Sequence, residues 1–135
     1  MTNQLTRSAP KLIERYARRM IIENHIQDGI DFFHMDALSS AVPMKVDCDL
    51  QLTLMGSSLY RLLANELGQG YERAKSRTLF RDFIDAHATV DVGEKEILVR
   101  FQKRAHNPLL LKAGFDKKEP GVPWLDNRKL NLVFG

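Results

Sequence analysis

The sequence predicts an α+β fold, with three main helices first and a small antiparallel sheet after them. Between Ala9 and Ala86, apolar residues recur at three- and four-residue steps, which is the period of helices buried on one side. After Thr89 the apolar residues alternate with polar ones, which is the period of a strand. Helices followed by a block of strands are typical of α+β domains.

The first helix is predicted from Ala9 to about Gln27, and Gly29 is its plausible stop. Its apolar residues are Leu12, Ile13, Tyr16, Met20 and Ile26. Residues 28–46 are irregular but too apolar for a free linker, so we expect a packed loop there, alone or with a short helix.

A second helix is predicted from Asp47 or Asp49 to about Leu67, and a third from about Glu72 to Ala86. The second helix is so apolar that we expect it to be largely buried. The residues behind this expectation are Leu50, Leu52, Leu54, Met55, Leu59, Leu62 and Leu63.

Two short β-runs, at residues 89–92 and 96–101, flank the turn Gly93-Glu94-Lys95 and predict a hairpin. A last strand is predicted where Leu130, Leu132 and Phe134 alternate with polar or smaller residues. This strand is expected to join the hairpin, because two strands alone are marginally stable. Residues 109–115 are apolar, and their period does not distinguish helix from strand.

Composition sets broad limits on function. The 135 residues are 44% hydrophobic and carry a net charge of +3, which permits nucleic-acid binding without demanding it. Cys48 is the only cysteine, so an intrachain disulfide and a cysteine-based zinc site are both excluded, and we expect a packed, inert thiol. No apolar run approaches the roughly 20 residues that a membrane helix needs, so a soluble, cytoplasmic protein without a membrane role is expected.

The first helix carries three polar side chains on one face. At 100° per residue, Arg19 lies about 60° from Tyr16 around the helix, and Glu23 lies about 20° from it. Arg19 and Glu23 are four residues apart and are able to form an ion pair. The simplest interpretation is an amphipathic helix with one salt bridge; the alternative is a catalytic helix.

The spacing Tyr-x2-Arg-x3-Glu resembles the signature helix of a large group of bacterial insertion-sequence transposases of the DDE type. The resemblance covers most of the chain. It includes residues 14–36, with the runs Ile21-Ile22-Glu23-Asn24 and Ile30-Asp31-Phe32-Phe33-His34, residues 50–64, and the run Arg104-Ala105-His106-Asn107-Pro108.

The resemblance implies DNA transposition by metal-dependent phosphoryl transfer in an intact parent protein. Glu23 would then be the third metal-binding carboxylate of a ribonuclease-H-like Asp-Asp-Glu site that uses magnesium or manganese, and Tyr16 and Arg19 would shape that site. Residues 1–70 would form the helical end of the ribonuclease-H-like catalytic domain, and residues 71–135 a tail made of a helix and a small sheet. The whole would be a single domain or a domain fragment.

Two departures from the family pattern limit this implication. The family has a lysine seven residues after the glutamate, and Ile30 occupies that position here. The two family aspartates lie well upstream of the glutamate, whereas the 22 residues before Glu23 contain no aspartate. The chain is therefore expected to match the carboxy-terminal portion alone, to bind no catalytic metal by itself, and to need a missing amino-terminal portion for strand cleavage. Without that portion, self-association through exposed apolar surface is also expected.

Basic side chains cluster along the first helix, along the third helix and after the hairpin. The functional interpretation is contact with the phosphates of transposon-end DNA, and the alternative is an ordinary solvated face. The candidates are Arg15, Arg18, Arg73, Lys75, Arg77, Arg81, Arg100, Lys103 and Arg104. They also support a second hypothesis, a non-catalytic DNA-binding module or regulator derived from a transposase.

Two further positions carry expectations. Trp124 is expected to cover a core, with stacking on a nucleic-acid base as the alternative. His106 stands isolated in the sequence, without a partner residue nearby.

Overall fold

The computed structural model describes residues 8–37 and 40–135, and its architecture is α+β, as predicted. Two long helices come first, α1 (Ala9–Phe33) and α2 (Pro43–Leu67). A short helix, α3 (Ser76–Leu79), continues directly as a π-helix (Phe80–Ile84), and α4 spans Asn107–Lys112. The strands are β1 (Ala88–Val92), β2 (Glu96–Phe101), β3 (Gly121–Val122) and β4 (Arg128–Phe134). Short 3-10 turns occupy Tyr71–Arg73, Phe115–Lys117 and Pro123–Leu125.

The chain divides into two compact units, Met1–Ser57 and Ser58–Gly135. The division falls within α2, so the first unit contains α1 and the beginning of α2. The second unit contains the end of α2 and everything that follows. Within the described residues, no helix is both long and apolar enough to cross a membrane.

In the first unit, α1 is longer than predicted and continues through Gly29 to Phe33. The helix ends where His34 adopts a left-handed conformation with φ 53°. The backbone N–H groups of His34 and Met35 then donate to the carbonyls of Ile30 and Gly29, at 3.1 and 3.2 Å. Gly29 is buried, and a Cβ there would lie 3.3 Å from the Met35 side chain. The glycine therefore allows the Met35 side chain to pack closely against α1, and it does not end the helix.

The expectation that the second helix is largely buried is wrong. α2 begins at Pro43, before Asp47, and among its residues only Ala64 and Leu67 are buried. In the first unit the ring of Phe33 lies 3.4 Å from the position of a Gly56 Cβ, so contact is made at the end of α1. The side chains left largely exposed on α2 are Met44, Leu50, Leu52, Leu54, Met55, Leu59 and Leu62.

In the second unit, the core forms around the end of α2 and the segment from α3 through the π-helix. Ala64 and Leu67 pack with Leu79 and Phe83, and all four are buried. Partly buried side chains surround them, namely Tyr60, Leu63, Tyr71, Ala74, Leu109, Leu110 and Phe115. Residues 109–115, whose period was ambiguous, thus contribute helix α4 and a 3-10 turn to this core.

The sheet is mixed, and the prediction of an antiparallel sheet is wrong for one of its pairings. The strand order is β1-β2-β4-β3. β1 and β2 form the predicted antiparallel hairpin, and β3 pairs antiparallel with β4. β4 runs parallel to β2, with Phe101 opposite Phe134 and their rings stacked at 5.1 Å. The parallel direction follows from the long connection through α4, since a crossover returns the chain to the same end of the sheet.

The third predicted helix, residues 72–86, is not continuous. A 3-10 turn at Tyr71–Arg73 precedes α3, and α3 then widens into the π-helix, where the N–H of Asp85 donates to the carbonyl of Phe80 at 2.8 Å. The wider turn buries the consecutive side chains of Asp82 and Phe83. An α-helical pattern does not place two adjacent side chains on the same buried face so readily.

Candidate functional site

The side chains of the transposase-like motif lie on the surface of α1. Tyr16 is 66% exposed, and Arg19 and Glu23 are exposed as well. The expected ion pair is present, with Arg19 Nε donating to Glu23 Oε1 at 3.0 Å. One turn earlier, Arg18 and Glu14 form a similar pair at 2.8 Å. The carboxylate of Glu23 is therefore accessible from solvent and held by a single arginine in an ordinary helical pair.

Metal binding by Glu23 would need further ligands. Among residues 8–37 and 40–135, no three His, Cys, Asp or Glu side chains come together as a metal-binding group. Two-metal phosphoryl transfer depends on several carboxylates that hold the ions about 4 Å apart. Glu23 is thus one ligand of the kind that such a site needs.

The basic residues that were candidates for DNA contact differ in their surroundings. Arg15 and Arg18 belong to α1, and the others belong to the second unit. Arg100 pairs with Asp91 across the hairpin at 2.5 Å. Arg81 pairs with the neighbouring Asp82 at 2.7 Å. The candidates that lie on the surface near α3 and after β2 are Arg73, Lys75, Arg77 and Lys103.

The structure brings two of the basic clusters together. Arg104, which follows the hairpin, donates from Nη2 to the backbone carbonyl of Arg81 at 2.8 Å. These residues are 23 positions apart in sequence. The Nη1 atom of Arg104 is buried and has no hydrogen-bond partner within the described residues. The guanidinium of Arg104 therefore lies against the backbone of the π-helix.

A buried carboxylate lies at the same place. The side chain of Asp82 is 6% exposed and accepts the bond from Arg81 Nε at Oδ1. The hydroxyl of Tyr71 donates to Asp82 Oδ2 at 3.5 Å, and Nε2 of His106 lies 3.9 Å from the same oxygen. We refer to Tyr71, Arg81, Asp82, Arg104 and His106 as the Asp82 cluster.

Aromatic packing fixes this arrangement. The ring of Phe83 meets the rings of Tyr71 and His106 edge to face, at 4.9 and 5.7 Å. Next to His106, the amide of Asn107 is buried and donates to the carbonyls of Gln102 and Gly135 at 2.9 and 3.1 Å. The start of α4 is thereby attached to the end of β2, and His106 is held beside the π-helix.

Proton equilibria in the Asp82 cluster favour the charged carboxylate. The hydrogen bond from Arg81 holds the pKa of the Asp82 carboxyl below its usual value, although burial acts in the opposite direction. The same bond raises the pKa of Arg81. Burial, and then the charge of Asp82, raise the pKa of the Tyr71 hydroxyl. Asp82 is therefore an anion, and Tyr71 a neutral donor, at neutral pH.

Sequence reasoning missed Asp82 and treated His106 as isolated. The structure corrects the second interpretation, since His106 lies within 4 Å of a carboxylate 24 residues away. The expectations for two other side chains are also wrong: Trp124 is 82% exposed, and Cys48 is exposed. Both lie on elements that cover no core at that position, α2 in its first half and the 3-10 turn at Pro123–Leu125.

Comparisons of the chain with protein-family models, with curated proteins and with solved structures found no match.

Proposed function

We propose that this chain is the carboxy-terminal part of a DDE transposase, in which Glu23 serves as the third metal-binding carboxylate. The observation that supports the proposal best is the geometry of α1. This helix is uninterrupted from Ala9 to Phe33, and it presents Tyr16, Arg19 and Glu23 to solvent. A partner domain that carries two aspartates is able to reach Glu23 without unfolding the helix.

The apolar surface of α1 supports the same proposal. Ile13 and Met20 lie on the same side of α1 as Tyr16, and both are more than half exposed. Exposed apolar surface of this kind marks a contact with another domain or another chain. In the proposal, the ribonuclease-H-like sheet of the parent protein covers part of this surface and brings its aspartates near Glu23.

The chemistry assigns distinct tasks to the motif. When bound, magnesium or manganese would stabilise the charge on the reacting phosphate of the transposon end. Glu23 would contribute one carboxylate ligand from the side of α1. Arg19 donates from Nε to that carboxylate at 3.0 Å. Arg19 is therefore proposed as a positioning residue for Glu23.

The first test is to read the coding DNA upstream of the Met1 codon in all three forward frames. The proposal expects strand-like apolar runs that carry two aspartates near their ends. The joined protein should then cut transposon-end DNA when magnesium is present. An unrelated gene upstream would leave Glu23 without its partner carboxylates and would contradict the proposal.

The mutational test compares two glutamates of the same helix in the joined protein. Glu23→Gln is expected to lower strand cleavage by about 100-fold or more, because it removes a metal ligand. Glu14→Gln is the matched control, since Glu14 forms the equivalent exposed pair with Arg18. Cleavage rates should be measured at saturating magnesium. Equal losses in the two variants would show that Glu23 has no special role.

A second candidate function is DNA binding without catalysis, as in a regulator derived from a transposase. It is favoured by the contact between Arg104 and the Arg81 carbonyl, which joins two basic segments of the second unit. Contacts between basic side chains and DNA phosphates give an affinity that falls as the salt concentration rises. Binding of the purified chain to duplex DNA should be measured across a series of salt concentrations. Absence of binding at low salt would remove this candidate.

A further inference from the structure

Side chains from two segments of the second unit that are distant in sequence lie around the carboxylate of Asp82. Arg81 donates to it, His106 lies 3.9 Å from it, and Arg104 lies against the Arg81 backbone. We infer that Arg81 binds a phosphate of the DNA backbone, with Arg104 and His106 as its neighbours, and that Asp82 is the positioning residue of this site. The inference rests on the DNA-binding function proposed above and specifies where a phosphate is bound.

The guanidinium of Arg81 is held through one nitrogen and remains open to solvent. Its Nε is engaged by Asp82 at 2.7 Å, while its side chain remains 73% exposed. An arginine that is held through Nε keeps its terminal N–H groups for a second acceptor, and their fork matches a phosphate. Because Asp82 is buried and the arginine is fixed by it, less side-chain entropy is lost when a phosphate binds.

His106 adds a third donor beside the same carboxylate. Its ring packs against Phe83, and its side chain is 36% exposed. The groups that face it are Asp82 and Phe83 of the π-helix, with Arg81 and Tyr71 bonded to the same carboxylate. An imidazole N–H is able to donate a hydrogen bond to a phosphate oxygen.

Arg104 supplies the second guanidinium. Its Nη2 donates to the backbone carbonyl of Arg81, so its guanidinium lies against the backbone of the π-helix. Its Nη1 atom is buried without a protein acceptor, and such donors are rare in folded proteins unless a water or an ion satisfies them. Because this atom is shielded from solvent, a DNA phosphate would be contacted by the other N–H groups of Arg104.

The charge of the Asp82 cluster suits a phosphodiester. Two arginines and one ionised aspartate leave one excess positive charge, and a DNA phosphate carries one negative charge. A simple structural ion pair would need neither the second arginine nor the histidine beside it. The arrangement resembles an oriented donor set, in which a buried acid fixes the groups that make the contact.

The test begins with two exposed basic residues of the second unit, each paired with an acid. Arg81→Gln should weaken binding to a mixed-sequence duplex by about tenfold and lower the slope of log affinity against log salt by about 1. Lys129→Gln is the matched control, because Lys129 is 67% exposed and pairs with Glu119 at 3.1 Å. Its effect should be about twofold or less. Equal effects of the two substitutions would overturn the site.

Two further variants separate orientation from charge. Asp82→Asn removes a negative charge, so electrostatics alone would tighten DNA binding, whereas loss of orientation should weaken it by about tenfold. Arg81→Lys keeps the charge but loses the Nε bond to Asp82, and binding should fall almost as far as for Arg81→Gln. Tighter binding by Asp82→Asn, or full binding by Arg81→Lys, would overturn the role of Asp82.

Controls keep the result interpretable. Thermal melts followed by circular dichroism should show that each variant is folded at the assay temperature. If Asp82→Asn unfolds, Arg81→Lys decides the question, because Arg81 is exposed and its substitution leaves the buried carboxylate in place. Absence of binding by the unchanged protein would remove the DNA-binding proposal itself and this site with it. Normal binding with unaffected variants would remove the site alone.

Discussion

Asp82 shows how a single buried charge is stabilised in this protein. The carboxylate is almost fully buried, and a buried charge is costly unless it is paired and hydrogen-bonded. Arg81 and Tyr71 donate to its two oxygens, so each oxygen has a partner. The pair with Arg81 is charge-assisted, which makes it stronger than a bond between neutral groups. The anion is therefore the form that the folded protein prefers.

This preference predicts an acid-sensitive contribution to stability. The folded-state pKa of Asp82 lies below its unfolded value, so the contribution is complete above about pH 4 and is lost as the pH falls through the folded-state pKa. Asp82→Asn should lower the free energy of unfolding at pH 7 by about 1–3 kcal/mol. The difference from the unchanged protein should shrink in acid, as measured by urea unfolding at several pH values.

Asp91 provides the control for this measurement. It forms an ion pair with Arg100, but both side chains are more than half exposed. Asp91→Asn should change stability by less than about 1 kcal/mol at either pH. An effect of Asp82→Asn as small as that of Asp91→Asn would mean that burial adds nothing to the Arg81–Asp82 pair.

The sequence contained part of this site. Arg81 and Asp82 are adjacent, and Arg81 was already a candidate for DNA contact. The burial of Asp82 was not predictable, because it depends on a π-helix that shifts the periodicity by one residue. The proximity of His106 was not predictable either, since it requires the tertiary contact between the π-helix and the start of α4.

At the scale of elements, the π-helix connects the core to the Asp82 cluster. Phe83 belongs to the core with Leu79, Ala64 and Leu67, and its ring also packs in T-shaped contacts with Tyr71 and His106. π-helical turns inside helices frequently occur at functional sites. In this protein the π-helix places Phe83 in the core and the adjacent Asp82 in the Asp82 cluster.

Phe83→Ala should therefore cost about 3–5 kcal/mol of unfolding free energy, because it leaves a cavity in the core of the second unit. The matched control is Phe80→Ala, since Phe80 begins the same π-helix and is exposed. That substitution should cost less, about 1–2 kcal/mol, because Phe80 is 39% exposed. Denaturant titrations of both variants measure the difference, and equal costs would contradict the assignment of Phe83 to the core.

Element prediction succeeded where local patterns decide and failed where distant contacts do. The hairpin was predicted because alternation and a glycine turn are both local, and its strands β1 and β2 are present. The start of α1 at Ala9 was also predicted correctly. The direction of β4 relative to β2 was predicted wrongly, because strand direction depends on the path of the connection. The burial of α2 was overestimated, because an apolar helix face does not reveal whether another element of the same chain covers it.

At the scale of the whole molecule, the two units differ in how well their apolar residues are covered. The second unit has a core of four buried apolar side chains with seven partly buried ones around it. In the described part of the first unit, the buried positions are Asp28 and Gly29, and the apolar residues of α1 are mostly exposed. The amides of α1 are therefore expected to exchange hydrogen faster than those of β2 and β4.

Exposed apolar surface also predicts self-association. The purified chain should form larger species as its concentration rises, because burial of side chains such as Ile13 and Met20 is favourable. Ile13→Glu should reduce this association, as measured by light scattering after size exclusion. His25→Glu, which also introduces an acid at an exposed position of α1, should leave it unchanged. Association that is insensitive to both substitutions would place the contact elsewhere.

The parallel pairing of β2 with β4 has a consequence for how the chain is made. Residues 102–127 separate the two strands, so the ribosome has to complete α4 and the turns after it before β4 exists. Until then, β1 and β2 form a lone hairpin, which is marginally stable in water. A transcript interrupted within those residues would yield a product whose hairpin lacks its neighbouring strand. Such a product would be a ready substrate for proteolytic quality control.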